Sequence, residues 1–455
     1  SVDTFFSYMK ISISGVRGIY GSDLTLQEVS RFTRLFASSM IKSEKKCILA
    51  RDTRPSGRII IQTVSASLME QGIDVYSLDI APTPMAFREA RKYQAGLIVT
   101  ASHNPLEWNG LKFITEGRGI FENELDLLLK GNPSTSTSLG EYSTISSDYV
   151  NELADLIKQP QSDKVMKVGL DPGGGATCKY VDQLFQKLGY TSFSVNGTEG
   201  ISSRSPDPTS DHLKELATLI TGNKLDIGFA FDLDGDRLVV VDSSGKKLNP
   251  DATLLLCVAS ALNLGMKEFV ASIDTSVSVE KLIKTHGGRL DYSKVGEANV
   301  VKKMLDTDAD AGGEGSSAGF ILPKFNKCRD GFLASAIIST LDMQAMNECL
   351  SYISDYAQIR SKVAIDSILH MEIMEKFYDL IKGESSQILT IDGIKTIIDD
   401  DSWVLIRPSN TEDAIRISVE SKTTSTQHLF DKISEKVQSA YEYVKRKRNN
   451  RSSYL

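Results

Sequence analysis

Cysteine is scarce in this chain and shows no pairing. Cys47, Cys178, Cys257, Cys328 and Cys349 lie far apart, with neither a metal-ligand spacing nor a disulfide framework. Such usage fits a reducing compartment, so a cytoplasmic location is expected. Long apolar runs are missing too. The longest, around Leu254 to Met266, is too short and too interrupted to span a bilayer, which argues against a membrane protein. Ser1 to Lys10 lack the charged start and apolar core of a secretion signal. There is no excess of positive charge. A formal net charge of -7 argues against nucleic acid as a partner, because phosphate backbones call for a basic surface. A small anionic substrate stays open, since a few arginines in one cleft suffice, and so does a homo-oligomer.

What the chain does have is a dense acidic loop, Asp232-Leu-Asp234-Gly-Asp236-Arg237, between the apolar runs Ile227 to Phe231 and Leu238 to Val241. Two strands entering and leaving a tight loop would gather three carboxylates. Like charges about 4 Å apart repel by roughly 4 kcal/mol per pair at an effective dielectric of ~20. A compensating cation is therefore expected, and oxygen-only ligands suit Mg²⁺, Mn²⁺ or Ca²⁺ rather than zinc. The bland alternative is a solvated acidic hairpin. An EF-hand fails: Arg237 stands where that loop needs Gly, Ser243 where it needs Glu, and the flanks are strands. An aspartate-nucleophile phosphatase, which shares an Asp-x-Asp-Gly core, is a further alternative.

At 455 residues the chain exceeds one core, and three or four domains are expected. One pattern occurs three times. Ile48 to Asp52, Val168 to Asp171 and Phe269 to Asp274 each read as a strand ending in aspartate, followed by a turn and a helix. The last quarter differs. Ile365 to Ile381 reads as a helix, Ile388 to Ile398 as a hairpin about Asp392-Gly393, then two strands and a final helix ending in Lys445 to Arg448. The expected fold class is α/β: three related mixed α/β domains plus a C-terminal α+β domain with an antiparallel sheet. The expected boundaries are 1–147, 148–249, 250–360 and 361–455.

Three further loops carry chemistry. Thr100-Ala-Ser102-His103-Asn104-Pro105 follows the apolar strand Leu97 to Val99, so Ser102 is a candidate nucleophile or phosphate carrier just past a strand end. A Ser/Asn turn closed by proline is the plain alternative. Gly312-Gly-Glu314-Gly-Ser316 offers a carboxylate and hydroxyls suited to polyols. Arg407-Pro-Ser409-Asn410-Thr411 lies between two strands as a phosphate cradle, with Arg416 adding charge from the strand that follows.

These loops, in this order, resemble those of the α-D-phosphohexomutase superfamily, the phosphoglucomutase/phosphomannomutase type, over nearly the whole chain. The resemblance implies four domains around a central cleft, one loop from each. It implies that Ser102 carries phosphate and, with Asp232, Asp234 and Asp236, meets one Mg²⁺. Arg17 of Ser14-Gly15-Val-Arg17-Gly18, Arg237, His103 and Lys112 would serve catalysis, with Lys112 and His103 as acid/base candidates. Glu297, Glu314, Ser316, Arg407, Ser409, Asn410, Thr411 and Arg416 would bind substrate. The implied activity is phosphoryl transfer between C1 and C6 of a hexose phosphate through a hexose 1,6-bisphosphate, which also activates the enzyme. Ser316-Ser317-Ala318 and Val295-Gly296-Glu297 depart from bacterial relatives, and the former, with Arg329-Asp330-Gly331, looks archaeal. Asn410 is similar to the branch acting on glucose and mannose phosphates, so these are the expected substrates. Alternatives are glucosamine phosphate as substrate, or a Mg-dependent sugar phosphatase.

Overall fold

The computed structural model describes residues 9–93, 95–133, 135–157, 166–409 and 413–452. Three sheets repeat one plan. In the first, Lys46–Arg51 lies between Asp74–Ile80 and Ala95–Val99, all parallel, and Trp108–Thr115 returns antiparallel. In the second, Lys167–Asp171 lies between Thr191–Ser194 and Ile227–Phe231, and Leu238–Asp242 returns antiparallel. In the third, Glu268–Ser272 lies between Arg289–Ser293 and Ala311–Glu314, and Gly319–Ile321 returns antiparallel. The sequence pattern had marked the first strand of each unit, and its aspartate ends that strand or follows it closely. The first sheet is widened at its edges by Lys10–Ser12, Gly15–Ile19, Arg118–Gly119 and Tyr142–Thr144.

The central strands are apolar on both faces because helices cover them. Ile60, Val64 and Leu68 on helix Gly57–Met69 are buried, as the 3.6-residue spacing requires. Helix Pro250–Asn263 is buried nearly all round, which accounts for the long apolar run at Leu254. No described helix is long and apolar enough to cross a membrane.

One continuous apolar core runs through the first three units, from Ile48 and Phe87 through Leu170 and Phe229 to Leu255 and Phe332. Inside it, Tyr149 donates its hydroxyl to Asp330 Oδ1 at 2.6 Å, and its ring meets Phe332 edge-on. The fourth unit has its own core beneath helices His370–Ile381 and Thr426–Ser452. Its sheet is antiparallel throughout, in the order Tyr356–Ala364, Ala414–Lys422, Ser402–Pro408, Ile394–Asp399, Gln387–Leu389. It docks on the third unit through Trp403 and Leu405 against Ile273. There the buried Glu420 accepts from Val277 N–H at 2.8 Å, and the buried Lys395 donates to Ile273 O at 2.7 Å.

Two expectations need correcting. The boundary placed after residue 360 falls inside strand Tyr356–Ala364, which pairs along its whole length with Ala414–Lys422. This edge strand is half exposed, so it lacks the apolar alternation that betrays a strand. The helix expected from Ile365 begins at His370, after a short 3-10 turn at Ser367–Leu369.

Tyr149→Phe removes the hydroxyl that ties the second unit to the third. It should cost about 1–3 kcal/mol, the usual penalty for leaving a buried hydrogen-bonding group unpaired. Urea unfolding of both proteins measures it, and equal midpoints would contradict the expectation.

Candidate active site

Three chemical loops occupy one structural position. Ser102 follows the third strand of the first unit and precedes its antiparallel return. The aspartate loop does the same in the second unit and Glu314 to Ala318 in the third. These are the C-terminal ends of parallel strands, where open α/β sheets place their sites. In each unit the first-strand aspartate braces that loop. Asp52 accepts from Thr100 Oγ1 at 2.6 Å, and Thr100 Oγ1 in turn accepts from Ser102 N–H at 2.9 Å. Asp171 holds Arg204 at 2.9 Å, and Arg204 donates to Phe231 O at 2.6 Å. Asp274 accepts from Ser316 Oγ at 2.8 Å.

The serine loop has a second support that sequence reading missed. Arg54 is fully buried and paired with Asp52 at 3.1 Å. It donates to the carbonyls of Ser102 (2.6 Å), Asn104 (2.7 Å), Pro105 (2.5 Å) and Trp108 (2.9 Å). Every guanidinium arm is engaged, so the loop is clamped. Ser102 itself has φ +51°, a left-handed conformation that a serine adopts at some cost.

Ser102 Oγ donates to Asp232 Oδ2 at 2.7 Å, which joins the first two loops. Asp232, Asp234 and Asp236 are wholly buried, with one carboxylate oxygen from each lying within 4.8 Å of the others. Burial, then Asp234 and Asp236, push the Asp232 carboxyl well above the usual range. Burial also opposes the Asp236 charge, but Arg329, Lys112 and Arg237 outweigh it and hold that carboxyl well below the usual range. Asp234 Oδ2 accepts from Thr83 at 2.6 Å, and Asp236 Oδ2 from Lys112 at 3.0 Å and Arg329 at 2.9 Å. Asp234 Oδ1 and Asp236 Oδ1 are buried with no hydrogen-bond partner. Such orphaned carboxylate oxygens suit a hard divalent cation, so the residues fit the group that the sequence called for. The turn needs Gly235: its φ is +72°, and a Cβ there would lie 2.5 Å from Thr177.

Cations ring this centre. Arg17 donates to Asn104 Oδ1 at 3.0 Å, and Arg237 Nη2 approaches His103 Nε2 at 3.5 Å. Burial, followed by Arg237 and Arg17, pushes the His103 pKa down to about 2, so the ring is neutral. For Lys112, burial disfavours the charge, but Glu297 and Asp236 raise its pKa and keep it an ammonium.

The sugar loop connects directly. Arg329 Nη1 lies 3.3 Å from Glu314 Oε2, and Glu314 Oε1 accepts from Gly296 N–H at 2.7 Å. Glu297 lies 3.5 Å from Lys112 and accepts from Arg329 N–H at 2.9 Å. The chain of contacts continues into the fourth unit. Asp392 Oδ2 accepts from Val295 N–H at 3.1 Å and from Arg407 at 2.7 Å. Arg416 stands directly across from Arg407 in the sheet and is exposed. Ser409 N–H bonds to Ala414 O at 2.9 Å, while Asn410 and Thr411 lie outside the described residues. Thus Ser102, the aspartates, Lys112, Glu297, Glu314 and Arg407 are linked in one line across four units.

Residues 9–130, 147–245, 249–356 and 360–434 match, in turn, phosphoglucomutase/phosphomannomutase alpha/beta/alpha domains I, II and III and the C-terminal domain of that family. The chain belongs to the phosphoglucomutase/phosphomannomutase family. It is a phosphohexomutase, an isomerase, and the phosphatase reading falls away. A protein named phosphoglucosamine/phosphogalactosamine mutase from Sulfurisphaera tokodaii is 32% identical, over 90% of this chain and 94% of its own length. A phosphoglucosamine mutase of Clostridioides difficile is 30% identical over 90% and 94%. Among solved structures, a phosphoglucomutase/phosphomannomutase family protein from Burkholderia thailandensis superposes with a TM-score of 0.82 at 22% identity, covering 95% of this chain and 98% of that one. A putative phosphomannomutase from Thermus thermophilus gives 0.76 at 20%, covering 96% and 99%. Both share this fold.

Sequence reading missed Arg54, Thr83, Arg329 and Asp392. Asp392 was legible only as a turn residue, and Arg329 only as part of a family-like triplet.

Asp234→Asn should act in opposite directions with and without metal. In chelator, removing one of three crowded charges should leave the midpoint of thermal unfolding unchanged or higher. Saturating Mg²⁺ should stabilise wild type by about 2.7 kcal/mol at a hundredfold excess over Kd, and the variant far less. Equal Mg²⁺-induced shifts in differential scanning calorimetry would refute the cation site.

Proposed function

We propose that this family member interconverts the 1- and 6-phosphates of a hexosamine, through phosphorylated Ser102 and a hexosamine 1,6-bisphosphate. The observation that carries the transfer step is the contact from Ser102 Oγ to Asp232, at the edge of a buried cluster fitted to a cation. The sugar assignment rests on the two relatives named above, both named for glucosamine phosphate. It displaces the expectation of glucose and mannose phosphates, which leaned on Asn410 alone.

In the first half-reaction the sugar's free hydroxyl oxygen attacks the Ser102 phosphorus. The bond from Ser102 Oγ to phosphorus breaks, and the hydroxyl proton leaves. The resulting bisphosphate turns over. Ser102 Oγ then attacks the other phosphorus, whose bond to the sugar breaks, and that sugar oxygen regains a proton. One general acid/base must take the proton in the first half-reaction and return it in the second, and Lys112 and His103 are the candidates. Arg17 and Arg237 steady the moving phosphoryl group. The cation assigned to Asp232, Asp234 and Asp236 is Mg²⁺, which supplies charge neutralisation to the serine phosphate when bound. Arg407, with Ser409, Asn410, Thr411 and Arg416, takes the phosphate that is not reacting, and Glu314 with Ser316 reads the hydroxyls. Bisphosphate restores enzyme that has lost its serine phosphate. All five cysteines are free thiols, which suits a reducing cytoplasm.

With glucosamine, glucose and mannose 1-phosphates assayed side by side, glucosamine 1-phosphate should give the highest kcat/KM, by about tenfold or more, the difference of one good polar contact. A higher value for glucose or mannose 1-phosphate would return the assignment to those sugars. Arg407→Ala should lower kcat/KM in both directions alike, by about ten- to a hundredfold, since a charge-assisted contact contributes roughly 1.5–3 kcal/mol. Unimpaired half-reactions with bisphosphate would refute the shared cradle.

A further inference from the structure

Arg329 lies beyond the sugar loop, just ahead of the buried helix Gly331–Ile338. It is 7% exposed, yet three carboxylates from three segments converge on it. Nη2 meets Asp236 at 2.9 Å, Nη1 meets Glu314 at 3.3 Å and Nε meets Glu297 at 3.4 Å. Its backbone N–H also donates to Glu297 at 2.9 Å. The chain leaves room for it, because a Cβ on Gly319 would sit 2.3 Å from Arg329 Cδ. Buried ion pairs seldom stabilise a fold beyond what apolar packing gives, so stability alone is a weak reason to keep this one. Its geometry is more telling. Arg329 and Lys112 both take Asp236 Oδ2, and the oxygen without a protein partner is Oδ1.

We propose that Arg329 is a positioning residue that couples the sugar side of the site to the metal loop. It holds Glu314 and Glu297 oriented for the sugar, and its charge on Asp236 Oδ2 tempers the negative potential of the cation site. The proposal rests on the metal and hexosamine readings above. It has a distinctive consequence. Arg329→Gln removes a positive charge beside Asp236, so the cation site becomes more negative and attracts Mg²⁺ more strongly. The same change releases Glu314 and Glu297, so sugar binding weakens. General loosening of the fold would weaken both.

The test uses the full chain without serine phosphate for calorimetric titration with Mg²⁺ alone, and active enzyme for glucosamine 1-phosphate kinetics. Arg329→Gln should bind Mg²⁺ several-fold more tightly, while KM rises about tenfold or more. Arg329→Lys keeps the charge without the planar fork. It should bind Mg²⁺ like wild type and raise KM several-fold. Unchanged or weaker Mg²⁺ binding in Arg329→Gln overturns the proposal, as does an unchanged KM. Where Arg329→Gln does not fold, an unchanged KM in Arg329→Lys overturns it. Wild type that takes up no Mg²⁺ overturns the metal reading and the proposal with it. Wild type that binds Mg²⁺ but turns over no hexosamine phosphate overturns the sugar reading and, with it, the coupling.

Discussion

Repulsion among the buried carboxylates of Asp232, Asp234 and Asp236 is the constraint around which the rest is arranged. At the observed spacing each pair opposes the other by about 3–4 kcal/mol at an effective dielectric of ~20. The protein answers from several sides. Lys112 and Arg329 take one oxygen of Asp236, Thr83 and Ser102 donate to its neighbours, and Arg237 adds charge. Two oxygens are still left over. A site in that state is built to receive a cation, and Ser102 stands at its edge in a strained conformation held by Arg54. Electrostatic demand and nucleophile position therefore have one cause.

The repeated sheet plan explains how three separate stretches of chain supply one site. A parallel third strand followed by an antiparallel return leaves a short loop at the carboxyl edge, and contacts join that loop from all three units. The aspartate after each first strand pins the loop of its own unit. The fourth unit joins through Asp392, which spans Arg407 and the turn ahead of Glu297. The contact line from Ser102 to Arg407 reaches the fourth unit through Asp392.

Much of this was legible in the residues. The strand, aspartate and helix pattern at Ile48, Val168 and Phe269 marked the three like units, because buried parallel strands are written as apolar runs. The aspartate loop was legible because local sequence gathers all three charges. Arg54, Thr83 and Arg329 were not, because their contacts with the Ser102 carbonyl, Asp234 and Asp236 join residues 48 to 151 apart, which only the packed sheets bring together. Strand Tyr356–Ala364 was missed for a different reason. A half-exposed edge strand need not alternate, so its pairing is decided by the neighbouring strand. The expected sugar was read from one residue of a phosphate loop, Asn410, whereas the relatives compared above are named for glucosamine phosphate and favour the alternative reading.

The central claim is that one phosphoryl group leaves Ser102 while the sugar's own takes its place. The most direct measurement is a single turnover with protein labelled by ³²P on Ser102 and unlabelled glucosamine 1-phosphate. The account predicts that label leaves the protein and appears at position 6 of the sugar, while Ser102 stays phosphorylated with unlabelled phosphate. Label that remains on Ser102 as glucosamine 6-phosphate forms, or that appears as inorganic phosphate at the same rate, would contradict it.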